Sequence, residues 1–479
     1  MQQGIRRRAG RLIGDRAFYA GVVAIVVPII IQNTVSNVVS LLDNVMVGRV
    51  GTLQMSAVAI ANQLLMVFNL CVFGGLAGAG IFATQYAGAH DDEGLRQCFR
   101  MKCLIALAML AAALIVFTAV PDRLISMYLS GQTLAQDAAD TLTYGLDYMR
   151  VMLAGLLPFA VTQVYAGTLR EMGETRLPMI ASVAAILVNL VFNYLLIFGT
   201  FGFPRLGVVG AAIATVLSRY VETAIIVVYT HVRRSHFTFI QGVYSSLSIS
   251  RPLLFAIIRR GSPLLVNEFL WSSGMAMLLQ CYSVRGLDVV AAANISATVA
   301  NLFNVVFISM GNAVAIMVGQ ALGANKPKRA MDTAAKLIAL SVASCMAMGL
   351  FMVMISPLIP RMYNTQEHVR QIATQFLRVV AVMMPVFAFS HCCFFTLRSG
   401  GRTMITFLFD CVFTWGASVP VAYVLANHTQ MPIVPLYFCV QALDILKCAI
   451  GYILVSRGIW VHNIVAPVAT GEGDSGCLN

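Results

Sequence analysis

Six carboxylates lie within otherwise apolar stretches of this chain: Asp43, Asp147, Glu222, Glu268, Asp410 and Asp444. Their spacing to bases sorts them into two kinds. Asp147 has Arg150 one helical turn away, Glu222 has Arg219 and Asp444 has Lys447, so each can neutralise itself along its own helix. Asp43, Glu268 and Asp410 have no base within one turn. A bare carboxylate among apolar side chains is costly, and it is tolerated mainly where it faces a bundle interior or a water-filled cavity. The chemistry open to it there is reversible protonation or capture of a cation.

Asp43 sits near the end of a polar stripe. Asn33, Asn37, Ser40 and Asn44 recur at i, i+4, i+7 and i+11, and Gln32, Ser36 and Asp43 at i, i+4 and i+11. On a 3.6-residue period these form one wet face of an apolar helix. A polar seam between helices would need amides but no carboxylate, so the stripe favours a site. Other polar groups are spaced to join it. Asn189 and Asn193 are i,i+4; Asn294, Thr298, Asn301 and Asn312 lie close to one helical face; Asn267, Glu268 and Trp271 share a turn. Trp271 beside Glu268 could stack on a flat organic cation, or simply be a packed indole. His391 could carry a proton, although a hydrogen-bonded structural role suits it better.

The elements that must position these residues are membrane helices. The 479 residues are 59% hydrophobic and 11% charged, with a mean hydropathy of +0.81, which marks an all-α polytopic membrane protein. Twelve long apolar segments stand out, at about 17–47, 53–85, 95–119, 137–168, 175–199, 207–232, 252–284, 288–319, 329–356, 366–397, 403–426 and 432–457. Each exceeds or approaches the roughly 20 residues that cross a bilayer core. Pro28, Pro158, Pro263 and Pro385 fall inside segments and are expected to bend them. The longest connection, 233–251, divides the chain into two groups of six. The expected organisation is a basic N-terminus at 1–16, an N-lobe at 17–232, the connection at 233–251, a C-lobe at 252–457 and a tail at 458–479.

The net charge of +12 does not indicate nucleic-acid binding, because the bases sit between hydrophobic segments. With both ends on one side, the inside segments hold ten bases in the first half and twelve in the second, against five outside. The positive-inside rule then puts both termini in the cytoplasm, across a bacterial plasma membrane. The basic start leads straight into the first helix, so no cleaved signal peptide is expected. The eleven cysteines include no CxxC and no metal spacing, and read as buried small side chains.

The halves repeat. Pro28, Gly51, Ala57, Ile60, Gln85, Gly88 and Ala89 match Pro263, Gly286, Ala292, Ile295, Gln320, Gly323 and Ala324, each pair 235 apart. TLREMGET at 168–175 matches TLRSGGRT at 396–403, 228 apart. An even number of helices per half makes the repeats parallel, with a cavity expected between them. The acids do not repeat: Glu268 maps onto Asn33, and Asp43 onto Leu278. No GxSxG, P-loop or HExxH is present, so no enzyme is expected and transport would draw on an ion gradient.

These features resemble the multidrug and toxic compound extrusion (MATE) transporters over about residues 15–457. The marks are LLDNVMVGRVG in the first helix, QYAGAHD after the second, TLREMGETRLP after the fourth, NLVFNYLLIFG in the fifth and LGVVGAAIATVLS in the sixth. QALGANKPKRA after the eighth and TLRSGGRT after the tenth complete them. The resemblance implies twelve transmembrane helices in two pseudo-symmetric six-helix lobes. It also implies export of cationic or amphipathic organic compounds by antiport with H⁺ or Na⁺, without a further cofactor. The family's first-helix aspartate falls on Asp43, its fifth-helix asparagine on Asn189, a second aspartate position on Asn193 and its sixth-helix threonine on Thr215. In one branch two acidic residues bind the cation, and those positions hold Trp271 and Phe387 here. Glu268, one turn before Trp271, is the candidate substitute.

The candidate coupling residues are therefore Asp43, Asn189, Asn193, Thr215 and Glu268, with Na⁺ at Asp43 as the one metal ion considered. The candidate substrate cavity is Asn33, Asn37, Asn267, Trp271, Asn294, Asn301 and Asp410. The expected partners are small organic cations or amphipathic drugs and the bilayer, with the chain acting as a monomer. Two alternatives remain: a flippase for a lipid-linked saccharide, disfavoured because the unpaired cavity charges read as mainly acidic, and a membrane enzyme or receptor without net transport.

Overall fold

Apolar stretches of this length can satisfy their backbone without water only by forming helices, and they do so throughout. The computed structural model describes residues 13–129, 135–246, 248–363 and 365–466. The spans are Arg16–Gly48, Thr52–Ala89, Asp92–Ala119, a bent fourth made of Ala135–Leu153 and Leu156–Glu171, Arg176–Phe198 and Val208–Val232. The second half supplies Arg251–Ser283, Leu287–Gly323, Pro327–Ile355, Glu367–Ser399, Thr403–His428 and Ile433–Ser456. Ten of these are long and apolar enough to cross a membrane on their own, and the bent pair is an eleventh. The seventh, 33 residues long, is less apolar because it carries Arg251, Arg259, Arg260 and Glu268.

Three of the four interior prolines sit in unbroken helices, at 28, 263 and 385. The 48° break in the fourth span falls at Ala154–Gly155. Pro158 follows it, in the first turn of the second piece, where a missing N–H leaves no helical acceptor unpaired. The sixth helix bonds both carbonyls at the break, of which Gly155 O also accepts from Phe159 N at 3.3 Å. Arg219 Nη1 donates to Gly155 O at 3.2 Å and the Tyr220 hydroxyl to Ala154 O at 3.2 Å. The eleventh helix widens to π pitch over Leu408–Val412 and Thr414–Ser418. Pro420 follows, and it can neither donate to nor fit against the carbonyl of Gly416.

The duplicated TLRxxGxT motif is a helix end built twice. Gly173 and Gly401 take φ of +91° and +73°, the left-handed residue that closes a helix. Glu174 N then donates back to Leu169 O at 2.9 Å, and Arg402 N to Leu397 O at 3.4 Å. Thr168 and Thr396 are fully buried and return their hydroxyls to the carbonyls four residues earlier, at 2.9 and 2.7 Å.

The lobes meet at the end of the bundle where these motifs lie. Val22 and Val26 of the first helix join the C-lobe core, while Leu253 and Ile257 of the seventh join the N-lobe core. The second and eighth helices cross there without room for side chains. A Cβ on Gly88 would lie 2.1 Å from Gln320 O, and one on Gly323 would lie 1.8 Å from Gln85 O. The same two glutamines clasp the opposite lobe. Gln85 Nε2 donates to Ser399 O at 2.9 Å, and Gln320 Nε2 to Glu171 O at 2.8 Å. Glu171 and Ser399 are repeat mates, so the clasp obeys the two-fold relation. The chain after the twelfth helix joins it: Trp460 is buried, and Ile464 N donates to Gln85 Oε1 at 2.8 Å.

Candidate functional site

The first, fifth and sixth helices bring Asp43, Asn189, Asn193 and Thr215 together. The i,i+4 asparagines put two amides on one buried face of the fifth helix. Asn193 Nδ2 donates to Asp43 Oδ1 at 2.6 Å. Asn189 lies 3.1 and 3.2 Å from the two carboxylate oxygens; with its amide nitrogen turned to them it donates to both and accepts from Thr215 Oγ1 at 3.3 Å. Asn193 Oδ1 is buried without a partner. Asp43 has no ion-pair partner among the described residues. Asn33 and Asn37 are half-buried on the same helix, while the side chain of Asn44 lies outside the described residues. Among the described residues no group of three or more His, Cys, Asp or Glu could hold a metal ion, so Na⁺ at Asp43 would depend on amide and hydroxyl oxygens.

Gln32 leaves the stripe to join a second network. Arg170 Nη2 donates to Gln32 Oε1 at 2.9 Å, Gln32 Nε2 to Ser182 Oγ at 2.6 Å, and Ser182 Oγ to Glu222. The expected Glu222–Arg219 pair is thereby corrected: Arg219 is used at the break in the fourth span. Asp147 and Arg150 do pair, at 3.2 Å, but with side chains 44% and 72% exposed. They are not a buried pair.

The C-lobe repeats the Gln32–Ser182 contact with different residues. Asn267 and Asp410 are the repeat mates of Gln32 and Ser182, and Asn267 Nδ2 donates to Asp410 Oδ2 at 3.2 Å. Lys447 Nζ donates to Asp410 Oδ1 at 2.6 Å. This corrects two sequence expectations at once. Asp410 is ion-paired by a base from another helix, and the lysine expected for Asp444 belongs to Asp410. Glu268 points elsewhere: its Cβ and Cγ lie over Gly74 of the second helix, with no hydrogen bond or ion pair among the described residues. Trp271, Asn294 and Asn301 are exposed. His391 packs against Phe307 and Phe395.

The cavity expected between the lobes is present, about 140 Å³ in volume, but sequence reading missed the charged groups that line it beside Phe73 and Phe395: Lys102, Arg170, Glu171 and Arg398. Lys102 is fully buried, donates to Thr168 Oγ1 at 3.1 Å and ion-pairs with Glu171. Arg170 and Arg398 are the arginines of the repeated motif. The motif was legible; that its arginines turn inward was not. The unpaired charges are not all acidic, because Arg398, like Asp43 and Glu268, has no ion pair among the described residues, and it also has no hydrogen bond.

Two lobes repeated in sequence, in helix ends and in hydrogen bonds, with polar sites held inside apolar spans, define a duplicated membrane transporter rather than an enzyme. The chain belongs to the MatE family, whose pattern matches residues 28–195 and 263–424. It is 23% identical to the probable multidrug resistance protein NorM of Thermotoga maritima over 92% of this chain and 93% of that one. It is 26% identical to the probable multidrug resistance protein YoeA of Bacillus subtilis, over 85% and 87%. Its fold is that of a multidrug resistance MATE transporter of the MOP superfamily solved in an outward-facing conformation. The TM-score is 0.82 at 21% identity, covering 93% of this chain and 96% of that one.

Proposed function

We propose that this protein exports cationic or amphipathic organic compounds across the bacterial plasma membrane in exchange for H⁺ or Na⁺. Both termini and the clasped end of the lobes would then face the cytoplasm. The observation that carries the reading is the Asp43 site, a carboxylate inside the N-lobe held by amides instead of a base. The relatives' description as multidrug resistance proteins supports the substrate class. Each chain holds both lobes, so the mechanism asks for no second copy.

The exchange follows from charge. An ionised Asp43 attracts a bound organic cation, and attraction at membrane depth is poorly screened. Neutralising the carboxylate removes it, and a change of about 1.4 kcal/mol already shifts affinity tenfold. Antiport requires that alternation between drug and ion. A proton is the simpler of the two ions. Protonated Asp43 needs only Asn193 to turn its unpartnered oxygen toward the new O–H. A sodium ion would need the oxygens of Asn189 and Asn193 beside the carboxylate, an orientation open to the Asn189 amide.

The test is efflux from proteoliposomes with the pH and Na⁺ gradients imposed separately. A proton gradient alone should drive export, and Asp43→Asn should bind cationic substrates weakly and fail to concentrate them. Gradient-driven efflux retained in Asp43→Asn, but lost in Glu268→Gln, would move the coupling site to the C-lobe.

A further inference from the structure

We propose that the pocket between the lobes receives an anionic oxygen group, carboxylate or phosphate, carried by an amphipathic ligand, with Arg398 as its main contact. The inference deepens the export reading and takes from it only the ligand's role as cargo; the binding itself can be measured without transport.

Arg398 is the anomaly that leads there. It is 9% exposed and lines the pocket. The rings of Phe395 and Phe73 flank its guanidinium at 5.3 and 6.0 Å, but rings do not satisfy N–H donors. Glu171 and Glu268 lie within its field, yet neither is close enough to ion-pair with it. Lys102 already neutralises Glu171. A buried cation without a partner is costly, and an arginine presents a planar fork that matches carboxylate or phosphate in two parallel bonds.

The repeat explains why this arginine is free. Its mate Arg170 is held by Gln32 Oε1 at 2.9 Å. The residue at the repeat position of Gln32 is Asn267, one methylene shorter. Asn267 keeps the contact to Asp410, but its own Oδ1 is buried without a partner. The N-lobe therefore ties one nitrogen of its arginine to an amide, with Arg170 Nε left buried and unpartnered, whereas the C-lobe gives Arg398 no hydrogen bond among the described residues and leaves the amide oxygen unsatisfied. Size limits the ligand. A cavity of about 150 Å³ holds a single benzene ring, so a pocket of about 140 Å³ takes one end group and not a whole drug. The fitting chemistry is a carboxylate on or near one ring, or a phosphate.

Rhodamine B tests this, because its cationic xanthylium carries a carboxyphenyl ring. Its ethyl ester is the same dye without the negative charge. Binding is measured on the purified full chain in detergent. Arg398→Gln should weaken rhodamine B about tenfold or more and the ester less than about threefold. Arg398→Lys, which keeps the charge but not the fork, should fall between. Benzoate should compete with rhodamine B on the wild type and not on Arg398→Gln. If only phosphatidylglycerol competes, tested in nanodiscs with and without it, the site stands with lipid phosphate as the occupant. Equal losses for both dyes, no loss for either, or no competition by either anion would overturn the proposal. Failed efflux with the dye difference intact would sink the export reading and leave this site standing.

Discussion

Replacing Gln85 by leucine removes three hydrogen bonds across the clasped end of the lobes at nearly constant volume. Gln85 is fully buried, donates to Ser399 O at 2.9 Å and His462 O at 3.3 Å, and accepts from Ile464 N at 2.8 Å. Leucine can do none of this. Each buried backbone group left without a partner costs about 1–3 kcal/mol. The Ser399 carbonyl and the Ile464 amide dominate, so the clasped conformer should lose about 2–6 kcal/mol. When the lobes part, the same groups meet water, and the penalty applies to one conformer only. The equilibrium should shift toward opening by about 30-fold or more. Gln320→Leu is the internal comparison. Gln320 makes one such bond, to Glu171 O, so its loss should be about 1–3 kcal/mol, half that of Gln85. Hydrogen exchange of residues 397–403 and 459–466 reads the opening. Exchange should accelerate strongly in Gln85→Leu and modestly in Gln320→Leu. Equal acceleration in the two variants, or none in Gln85→Leu, would refute the accounting.

Gly323→Ala should wedge the second and eighth helices apart, because its Cβ would lie 1.8 Å from Gln85 O. A penalty of at least about 1–3 kcal/mol for the clasped conformer should appear as the same exchange signature. Lys447→Met should destabilise the protein by about 3–5 kcal/mol, by stranding Asp410, and adding Asp410→Asn should recover much of the loss in thermal unfolding. Asp147→Asn reads what surrounds that pair, which lies outside the packed interior: a change of no more than about 0.5–1 kcal/mol is expected for a pair facing water, and a larger drop would mean that it faces lipid.

The helices were legible because hydropathy and length alone dictate them in lipid. The repeat was legible because glycine, threonine and arginine recur at fixed spacing, and the left-handed Gly173 and Gly401 give that spacing its physical cause. Local charge pairing misled. Lys447 is one turn from Asp444 in sequence, yet it bonds Asp410 across helices, and Arg219 turns from Glu222 to Gly155 O at a helix break. A sequence window sees i,i+3 neighbours but not the acceptor that a bent neighbour exposes. The Asp43 cluster came within reach because asparagines at i,i+4 must share a face. Glu268 was grouped with that cluster as an unpaired acid, but it lies over Gly74 at the lobe interface.

The Gln32–Asn267 difference makes a prediction that separates geometry from charge. Asn267→Gln extends the side chain by one carbon–carbon bond, about 1.5 Å, and alters no charge. The longer amide can keep its contact to Asp410 and offer Oε1 to Arg398, as Gln32 does to Arg170 at 2.9 Å. Arg398 would then be tied, and the pocket should lose its hold on an anion although every base is still present. Rhodamine B affinity should fall toward that of Arg398→Gln, with the ester little changed. The added methylene enters a site only 2% exposed, so about 1–3 kcal/mol of packing strain accompanies it. Asn267→Leu is the control for that strain, since it fills similar space and offers no acceptor. A carboxylate preference that survives Asn267→Gln would mean that the missing amide contact is not what leaves Arg398 free. A preference lost equally in Asn267→Leu would assign the effect to packing, and in either case the one-methylene argument fails.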